Sequence, residues 1–238
     1  MQARDVSAPD ARSAWRPDCS CAAGAAAALR ELGLLLPELE PYQDEPPQMA
    51  SGAVGKMGYL RLQFDRDTAT GRTVLSDMDR RVPLLAQKAL YWDESQPDMA
   101  CVTTITTTGC VIQGDRLALD VRVGPEARAL VATQSATKVH CMEHNYASQL
   151  QTFTVEEDGY FEYMPDPLIL HRTARYLMDT RIVLPESATL LYGEVLMPGR
   201  KYHHRDELFG FHLFSSNITA AREPYGDPLF VERFVLEP

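Results

Sequence analysis

The sequence has no apolar run long enough to cross a lipid bilayer. The alanine-rich segment at residues 21–36 contains Arg30 and Glu31, and these charges exclude a secretory signal peptide. Positive charge is also in deficit, because 23 basic residues face 33 acidic ones and the formal net charge is −10. We therefore expect no binding to nucleic acid and no binding to a membrane.

Cysteine is sparse and irregularly spaced, with five residues at positions 19, 21, 101, 110 and 141. An odd number at such spacings does not predict a disulfide framework, and it favours a reducing cytoplasm as the location. Cys19 and Cys21 could bind a soft metal ion. No second ligand cluster lies near them in the sequence, which favours an incidental pair.

The common catalytic motifs are also missing. The sequence has no His-Glu-x-x-His helix, no Gly-x-Ser-x-Gly elbow and no glycine-rich nucleotide fingerprint. Residues 52–58 imitate a phosphate-binding loop, but only two residues separate the first two glycines, and Met57 stands where Ser or Thr is needed. Ser135 follows a predicted strand without a base to activate it. These absences predict a protein that is not an enzyme.

The pattern that is present is that of β-strands. Along residues 117–123, leucine and valine alternate with alanine, aspartate and arginine, which is the period of a half-buried strand. Gly124 and Pro125 predict a turn, and residues 128–133 predict a returning strand. Further strands are predicted at residues 59–64, 72–75, 99–108, 208–216 and 229–236. The sequence therefore predicts a mainly β fold.

This strand-turn-strand unit recurs along the chain. Val123, Val155 and Leu184 hold the same place before an acidic turn, at spacings of 32 and 29 residues. A repeat of this length predicts similar β-units stacked on one another. Three degenerate copies could also arise by chance in a chain rich in strands.

Composition divides the chain into two parts. Residues 1–44 are rich in Ala, Arg, Asp and Pro and contain one helix-like run, at residues 22–36, so we expect a flexible or loosely docked N-terminal extension. Residues 45–238 form the predicted β domain. Because the sequence stops directly after a predicted strand, we expect a further C-terminal segment to cover the edge of the sheet.

Two histidine-containing clusters are candidates for metal binding. In a strand, His140, Met142 and His144 would share one face, with Cys141 beside them. The alternative is a polar loop in which Met and Cys fill apolar gaps. His203 and His204 form the second candidate, and they can share an ion only if the segment is a loop; a solvated surface run is the alternative.

Carboxylates placed within apolar strands form a third pattern, at Glu162, Glu194 and Glu232. A buried carboxylate is costly, so each must meet a partner, water or a cation. One interpretation is that they line a wet internal passage. The other is that they lie exposed on an outer sheet face.

A set of short motifs is spread along the chain in consistent order. The motifs are Gly52-x-Val54-Gly55-Lys56-x-Gly58, Gly71-Arg72-Thr73-Val74-Leu75, Gln113-Gly114-Asp115, Thr133-Gln134-Ser135-Ala136-Thr137-Lys138, Met164-Pro165-Asp166-Pro167-Leu168-Ile169, Gly199-Arg200 and Leu229-Phe230-Val231-Glu232-Arg233. Together they resemble the UreD family of urease accessory proteins. The resemblance runs from about residue 43 to residue 238, and residues 1–42 carry no matching motif.

The resemblance implies a non-enzymatic maturation scaffold in the cytoplasm. Proteins of this kind bind the urease apoprotein and the accessory protein UreF, which recruits the GTPase UreG, and the complex delivers nickel to urease. The implied fold is a mainly β, β-helix-like stack of strand-turn-strand units with few short helices, and we expect the family's C-terminal segment to be missing here. No cofactor is expected to be permanently bound, and Ni²⁺ would be present only in transit.

The family is thought to pass nickel through an internal channel with a polar and acidic lining. By motif match, the positions implied for transient nickel contact are Asp115, Ser135, Glu194 and Glu232, with Glu94 added as a further candidate. Oxygen ligands and water hold Ni²⁺ loosely enough to release it, whereas a closed His and Cys cage would trap it. For this reason His140, Cys141, His144, His203 and His204 rank below the carboxylates as metal ligands.

Two alternatives to the conduit remain open at this stage. The first is a metal-dependent β-fold enzyme that uses His140 and His144, with His203 as a further candidate ligand. The second is a pure adaptor that metal never touches.

Overall fold

The computed structural model describes residues 22–43, 56–224 and 226–238. These residues are mainly β, as predicted. The strands are β1 (Met57–Arg66), β2 (Thr73–Arg81), β3 (Leu84–Ala86), β4 (Ala100–Thr106), β5 (Arg116–Val123), β6 (Arg128–Thr133), β7 (Thr137–Val139), β8 (Ala147–Val155), β9 (Tyr160–Met164), β10 (Leu168–Leu170), β11 (Arg175–Val183), β12 (Thr189–Tyr192), β13 (Leu196–Met197), β14 (Leu213–Ala221) and β15 (Pro228–Leu236). The helical elements are α1 (Ala22–Glu31) and two 3₁₀ turns, Pro37–Tyr42 and Arg205–Glu207.

The strands form three sheets that are built in successive rounds of the chain. The seven-stranded sheet has the order β15-β14-β11-β8-β5-β1-β2, the five-stranded sheet β12-β9-β6-β4-β3, and the three-stranded sheet β13-β10-β7. The rounds β5–β7, β8–β10 and β11–β13 each add one strand to each sheet, and in the second and third of these rounds every strand pairs in parallel with its counterpart in the round before. The β-helix-like stacking implied by the resemblance stays an interpretation of this topology.

The repeat seen in the sequence corresponds to a repeated turn. The amide of Ala127 donates to the carbonyl of Gly124, that of Gly159 to Glu156, and that of Ala188 to Pro185, at 3.0–3.3 Å. These turns recur at the predicted spacings of 32 and 29 residues. Val123 lies directly opposite Val155 in the parallel pair of β5 and β8. The three copies are therefore real structural units in register, and not a coincidence of composition.

The main core lies between the sheets, where the apolar face of each strand is buried. On β5, the predicted alternation holds: Leu119 and Val121 join this core, whereas Arg122 is exposed. Phe153, Phe161 and their neighbours are fully buried, and each such side chain contributes about 1.5–3 kcal/mol relative to exposure. Ala118, on the opposite face of β5, is buried as well, because the N-terminal segment covers it.

That N-terminal segment packs on the outer face of the seven-stranded sheet. Leu29 of α1 and Leu39 of the first 3₁₀ turn are buried in a second apolar cluster. The helix ends at Glu31, and Gly33 follows with φ +88°, where an added Cβ would meet Leu39 Cδ1 at 2.7 Å. Residues 1–21 and 44–55 lie outside the described residues, so the division at residue 44 and the expected looseness of residues 1–44 stay predictions.

The clearest error in the predicted strands concerns β14. We predicted a strand over residues 208–216, but β14 begins only at Leu213. Phe209 adopts a left-handed conformation with φ 53°, and its amide donates to Pro198 O at 2.6 Å. These contacts hold residues 208–212 in a loop, because the chain there closes onto the preceding turn.

None of the helices in the described residues is long and apolar enough to span a membrane.

Candidate functional site

A cavity of about 690 Å³ lies between the sheets at the end formed by β12 and β15. Side chains from all three sheets line it, and most of them are aliphatic or aromatic. Among the polar side chains on its wall are Thr137, Gln149, Gln151, Tyr192, Glu194 and Glu232. A few polar groups on an apolar wall are typical of a site that binds or conducts a small polar species.

Two of the predicted carboxylates meet on this wall. Glu194 follows β12, and Glu232 lies in the middle of β15, opposite Ile218 of β14. Burial raises the pKa of Glu194, and the negative charge of Glu232 raises it further, whereas a hydrogen bond donated by the Tyr192 hydroxyl lowers it. Glu194 and Glu232 are both exposed, as the second interpretation of these carboxylates expected, so they meet bulk water at the open side of the cavity.

Two tyrosines lie beside Glu194, and the hydroxyl of Tyr192 donates a hydrogen bond to its carboxylate. The rings of Tyr163 and Tyr192 stack with their centroids 5.7 Å apart. Burial, and then the charge of Glu194, raise the pKa of both phenols. The Tyr192 hydroxyl therefore stays protonated at neutral pH, and it remains a hydrogen-bond donor to the carboxylate.

Amide groups add further oxygen atoms to the wall. The Tyr176 hydroxyl donates to Gln149 Oε1 at 2.8 Å. Gln151 is fully buried, and neither its amide oxygen nor its amide nitrogen has a hydrogen-bond partner among the described residues. An unpaired buried amide costs about 1–3 kcal/mol, so it is a natural contact for water or a hydrated ion inside the cavity.

The other three positions implied by the resemblance do not line this cavity. Asp115 is buried, and its two carboxylate oxygens accept hydrogen bonds from the Lys56 and Ile112 amides, both at 3.0 Å. Burial raises the pKa of Asp115. Ser135 lies exposed between β6 and β7, and Glu94 is exposed in a loop. Their part in nickel contact stays a prediction.

The first histidine cluster lies in a loop after β7, so the strand arrangement considered for it is wrong. Met142 is buried, whereas His140 and His144 are exposed. Cys141 Sγ lies 3.1 Å from His140 Nδ1. The Gln113 side chain shapes the loop by accepting hydrogen bonds from the amides of Glu143 and His144, both at 2.9 Å.

The second histidine cluster is exposed on the turn before the second 3₁₀ segment. His203 and His204 both face solvent, and His204 Nδ1 accepts a hydrogen bond from the Asp206 amide at 3.3 Å. Within residues 22–43, 56–224 and 226–238, no three His, Cys, Asp or Glu side chains already converge as a metal-binding group. Metal contact at these histidines therefore also stays a prediction.

Two polar residues were not predicted as site residues from the sequence: Gln151 in the cavity and His171 beside His140. His171 is 6% exposed, and neither of its ring nitrogens has a hydrogen-bond partner among the described residues. Burial lowers its pKa to about 4, with the positive charges of Arg200 and His140 acting in the same direction. Its spacing of 31 residues from His140 falls within the range of the repeat, and this signal could have revealed it.

Fold and site together define a class: a mainly β protein with an aromatic-walled cavity that opens to solvent and presents carboxylate and amide oxygens. A family model described as UreD urease accessory protein matches residues 56–238. The chain is 58% identical over 212 residues to "Urease accessory protein UreD" of Yersinia enterocolitica. This alignment covers 87% of this chain and 64% of the relative. It is 60% identical over 207 residues to the Yersinia pseudotuberculosis protein of that name, again covering 87% and 64%.

A Yersinia pestis protein of the same name is 59% identical over 207 residues, covering 87% of this chain and 74% of the relative. The chain belongs to the UreD family of urease accessory proteins. It spans about 64% of the length of the first two relatives.

Proposed function

We propose that the chain is a urease maturation factor, a non-catalytic scaffold that guides Ni²⁺ toward the urease active site. It would bind the urease apoprotein and UreF, with UreG joining through UreF. The family to which the chain belongs supports the accessory role. The partners and the passage of nickel go beyond that support, and they follow from the resemblance described above.

The observation that carries the nickel proposal is the meeting of Glu194 and Glu232 on one cavity wall. The two residues are 38 positions apart, and the charge of Glu232 acts on Glu194. Carboxylate, amide and phenol oxygens bind divalent cations, and Ni²⁺ held by oxygen and water exchanges more readily than Ni²⁺ held by a complete imidazole and thiolate set. Such a wall suits passage of the ion and not its storage.

A cytoplasmic location belongs to the same proposal. Cys101, Cys110 and Cys141 are free thiols, and a reducing compartment would keep them in that state.

The test compares complex assembly with nickel delivery. Glu194→Ala and Glu232→Leu should leave co-purification with the apoprotein and the accessory proteins intact, because both side chains lie on the cavity wall. Urease activation at limiting nickel should fall sharply in both variants. Glu157→Ala is the matched control, since Glu157 is an exposed carboxylate in a turn outside the cavity lining. Normal activation by both cavity variants would leave only the adaptor role.

A further inference from the structure

The parallel pairing of β7 and β10 places two histidines side by side. Val139 lies opposite Leu170 at the end of this pair, so His140 and His171 follow at equivalent positions of adjacent chain segments. The amide of His171 donates to Val139 O at 2.9 Å, which fixes the register up to the histidine. The two imidazole rings lie with centroids 5.4 Å apart and planes inclined by 56°. Both rings thus border the same small volume.

His171 is the unusual member of this pair. Its side chain is almost wholly enclosed, yet both ring nitrogens lack a hydrogen-bond partner among the described residues. Leaving a buried polar group unsatisfied costs about 1–3 kcal/mol, so such a group calls for a ligand or an ordered water. An imidazole nitrogen without a hydrogen-bond partner has a lone pair that can bind a metal ion.

A third ligand lies beside the pair. Cys141 is exposed, and its sulfur lies 3.1 Å from His140 Nδ1. The nearby Arg200 would oppose a cation, but its guanidinium is paired with the buried carboxylate of Glu207 at 2.6 and 3.1 Å. The ion pair balances most of that positive charge.

We propose that His140 and His171, joined by Cys141, form a binding site for one borderline divalent transition-metal ion such as Ni²⁺ or Zn²⁺. With metal–nitrogen bonds of about 2.0–2.1 Å, two imidazoles on one tetrahedral ion have ring centres about 5 Å apart. The observed 5.4 Å is close to that separation. Cys141 completes the site by rotation of its exposed side chain, and it binds as a thiolate, releasing its proton to solvent.

This site is separate from the cavity described above. Neither histidine nor Cys141 belongs to the cavity lining, and the cavity carboxylates take no part in the site. Metal binding at this site can therefore be tested independently of nickel passage along Glu194 and Glu232. Mixed imidazole and thiolate ligands hold a borderline ion more firmly than oxygen ligands do, so retention and not passage is expected here.

The test is a calorimetric titration of metal-free chain with Ni²⁺ and with Zn²⁺, in a Glu194→Ala, Glu232→Leu background that removes the cavity carboxylates. One ion should bind per chain with release of protons. His140→Ala and His171→Gln should each weaken binding by about tenfold or more. Cys141→Ser should abolish the thiolate-to-metal charge-transfer absorption of the Ni²⁺ form.

His144→Ala separates this site from a ligand set made only of neighbours in the sequence. His144 is exposed in the same loop but has no place in the proposed site, so its variant should bind metal like the parent. The proposal is overturned if His140→Ala binds as tightly as the parent. It is equally overturned if His144→Ala weakens binding as much as His140→Ala. Because His140 is exposed, its variant keeps the test valid even if His171→Gln fails to fold.

Discussion

Arg233 Nη2 lies 2.8 Å from both carboxylate oxygens of Glu38, across 195 positions of the chain. The Ser215 hydroxyl donates to the same carboxylate at 2.7 Å. Both charged side chains are largely buried, with 12% of the Arg233 side chain and 7% of the Glu38 side chain exposed. This ion pair ties the N-terminal segment to β15.

Removing one partner of this pair should therefore be costly. Glu38→Ala leaves the Arg233 guanidinium buried without its counter-charge, and we expect the free energy of unfolding to fall by about 3–5 kcal/mol. Asp77→Ala is the control, because it breaks the exposed pair with Arg61 and should cost about 0–1 kcal/mol. Urea denaturation followed by tryptophan fluorescence measures both. If the two variants lose the same free energy of unfolding, the buried pair contributes no more to stability than the exposed one.

Docking of the N-terminal segment is also testable through a pair of leucines. Leu39 is fully buried against the sheet, whereas Leu35 is 92% exposed four residues earlier. Leu39→Ala should lower the free energy of unfolding by about 2–5 kcal/mol, because it leaves a cavity in the second apolar cluster. Leu35→Ala should change it by no more than about 0.5 kcal/mol. A wild-type melting curve for Leu39→Ala would contradict the packing of this segment.

Gly199 should be intolerant of any side chain. Its φ is +129°, and an added Cβ would lie 2.0 Å from the carbonyl oxygen of Glu207. We expect Gly199→Ala to cost about 1–3 kcal/mol from backbone strain, with the steric clash in addition. Gly109→Ala is the matched control, since its φ is +71° but nothing lies within 4 Å of the new Cβ. Thermal melts of the two variants should therefore differ, and the proposed shape of the 199–207 loop would be wrong if they coincide.

The protonation of Glu194 should respond to Tyr192. Because the Tyr192 hydrogen bond lowers the pKa of Glu194, Tyr192→Phe should move that pKa further above the ordinary glutamate range. ¹³C NMR titration of labelled glutamate carboxylates measures the shift directly. A pKa that stays in place or falls in Tyr192→Phe would show that the phenol does not stabilise the charged form.

The same raised pKa has a consequence for stability. The folded protein binds the Glu194 proton more tightly than the unfolded chain does, so this residue's contribution to stability decreases as pH rises from the ordinary glutamate range through the folded pKa. Glu194→Gln should therefore be slightly more stable than the parent at neutral pH, with the advantage disappearing in acid. Melting temperatures across that pH range provide the measurement.

Local patterns predicted much of the β architecture. The alternation along β5 follows from burial of one face, and the repeated turns follow from Pro, Gly and acidic residues that favour tight reversals. Such signals act over a few residues and can be read directly. The late start of β14 was missed because the Phe209 contact with Pro198 joins segments that local propensity does not connect.

The cavity depends on longer-range geometry. From the residues alone, Glu194 and Glu232 could either line a passage or lie exposed on an outer face, and both are exposed while also lining the cavity. What unites them is the antiparallel addition of β15 to β14, which brings β15 to the end of the stack near β12. His171 was missed for a related reason: its contact with His140 depends on the register of two parallel strands in different rounds of the chain.

The N-terminal helix has a consequence for how the protein forms during synthesis. Its apolar cluster includes Tyr59, Ala118, Leu150, Leu177 and Leu213, which come from five neighbouring strands of one sheet. The ribosome releases these strands one after another. The helix α1 therefore emerges before them, and the sheet surface on which it packs forms only as each strand is added. Until Leu213 has left the exit tunnel, the apolar face of the helix is only partly covered. We expect a chaperone that acts on nascent chains to bind this face.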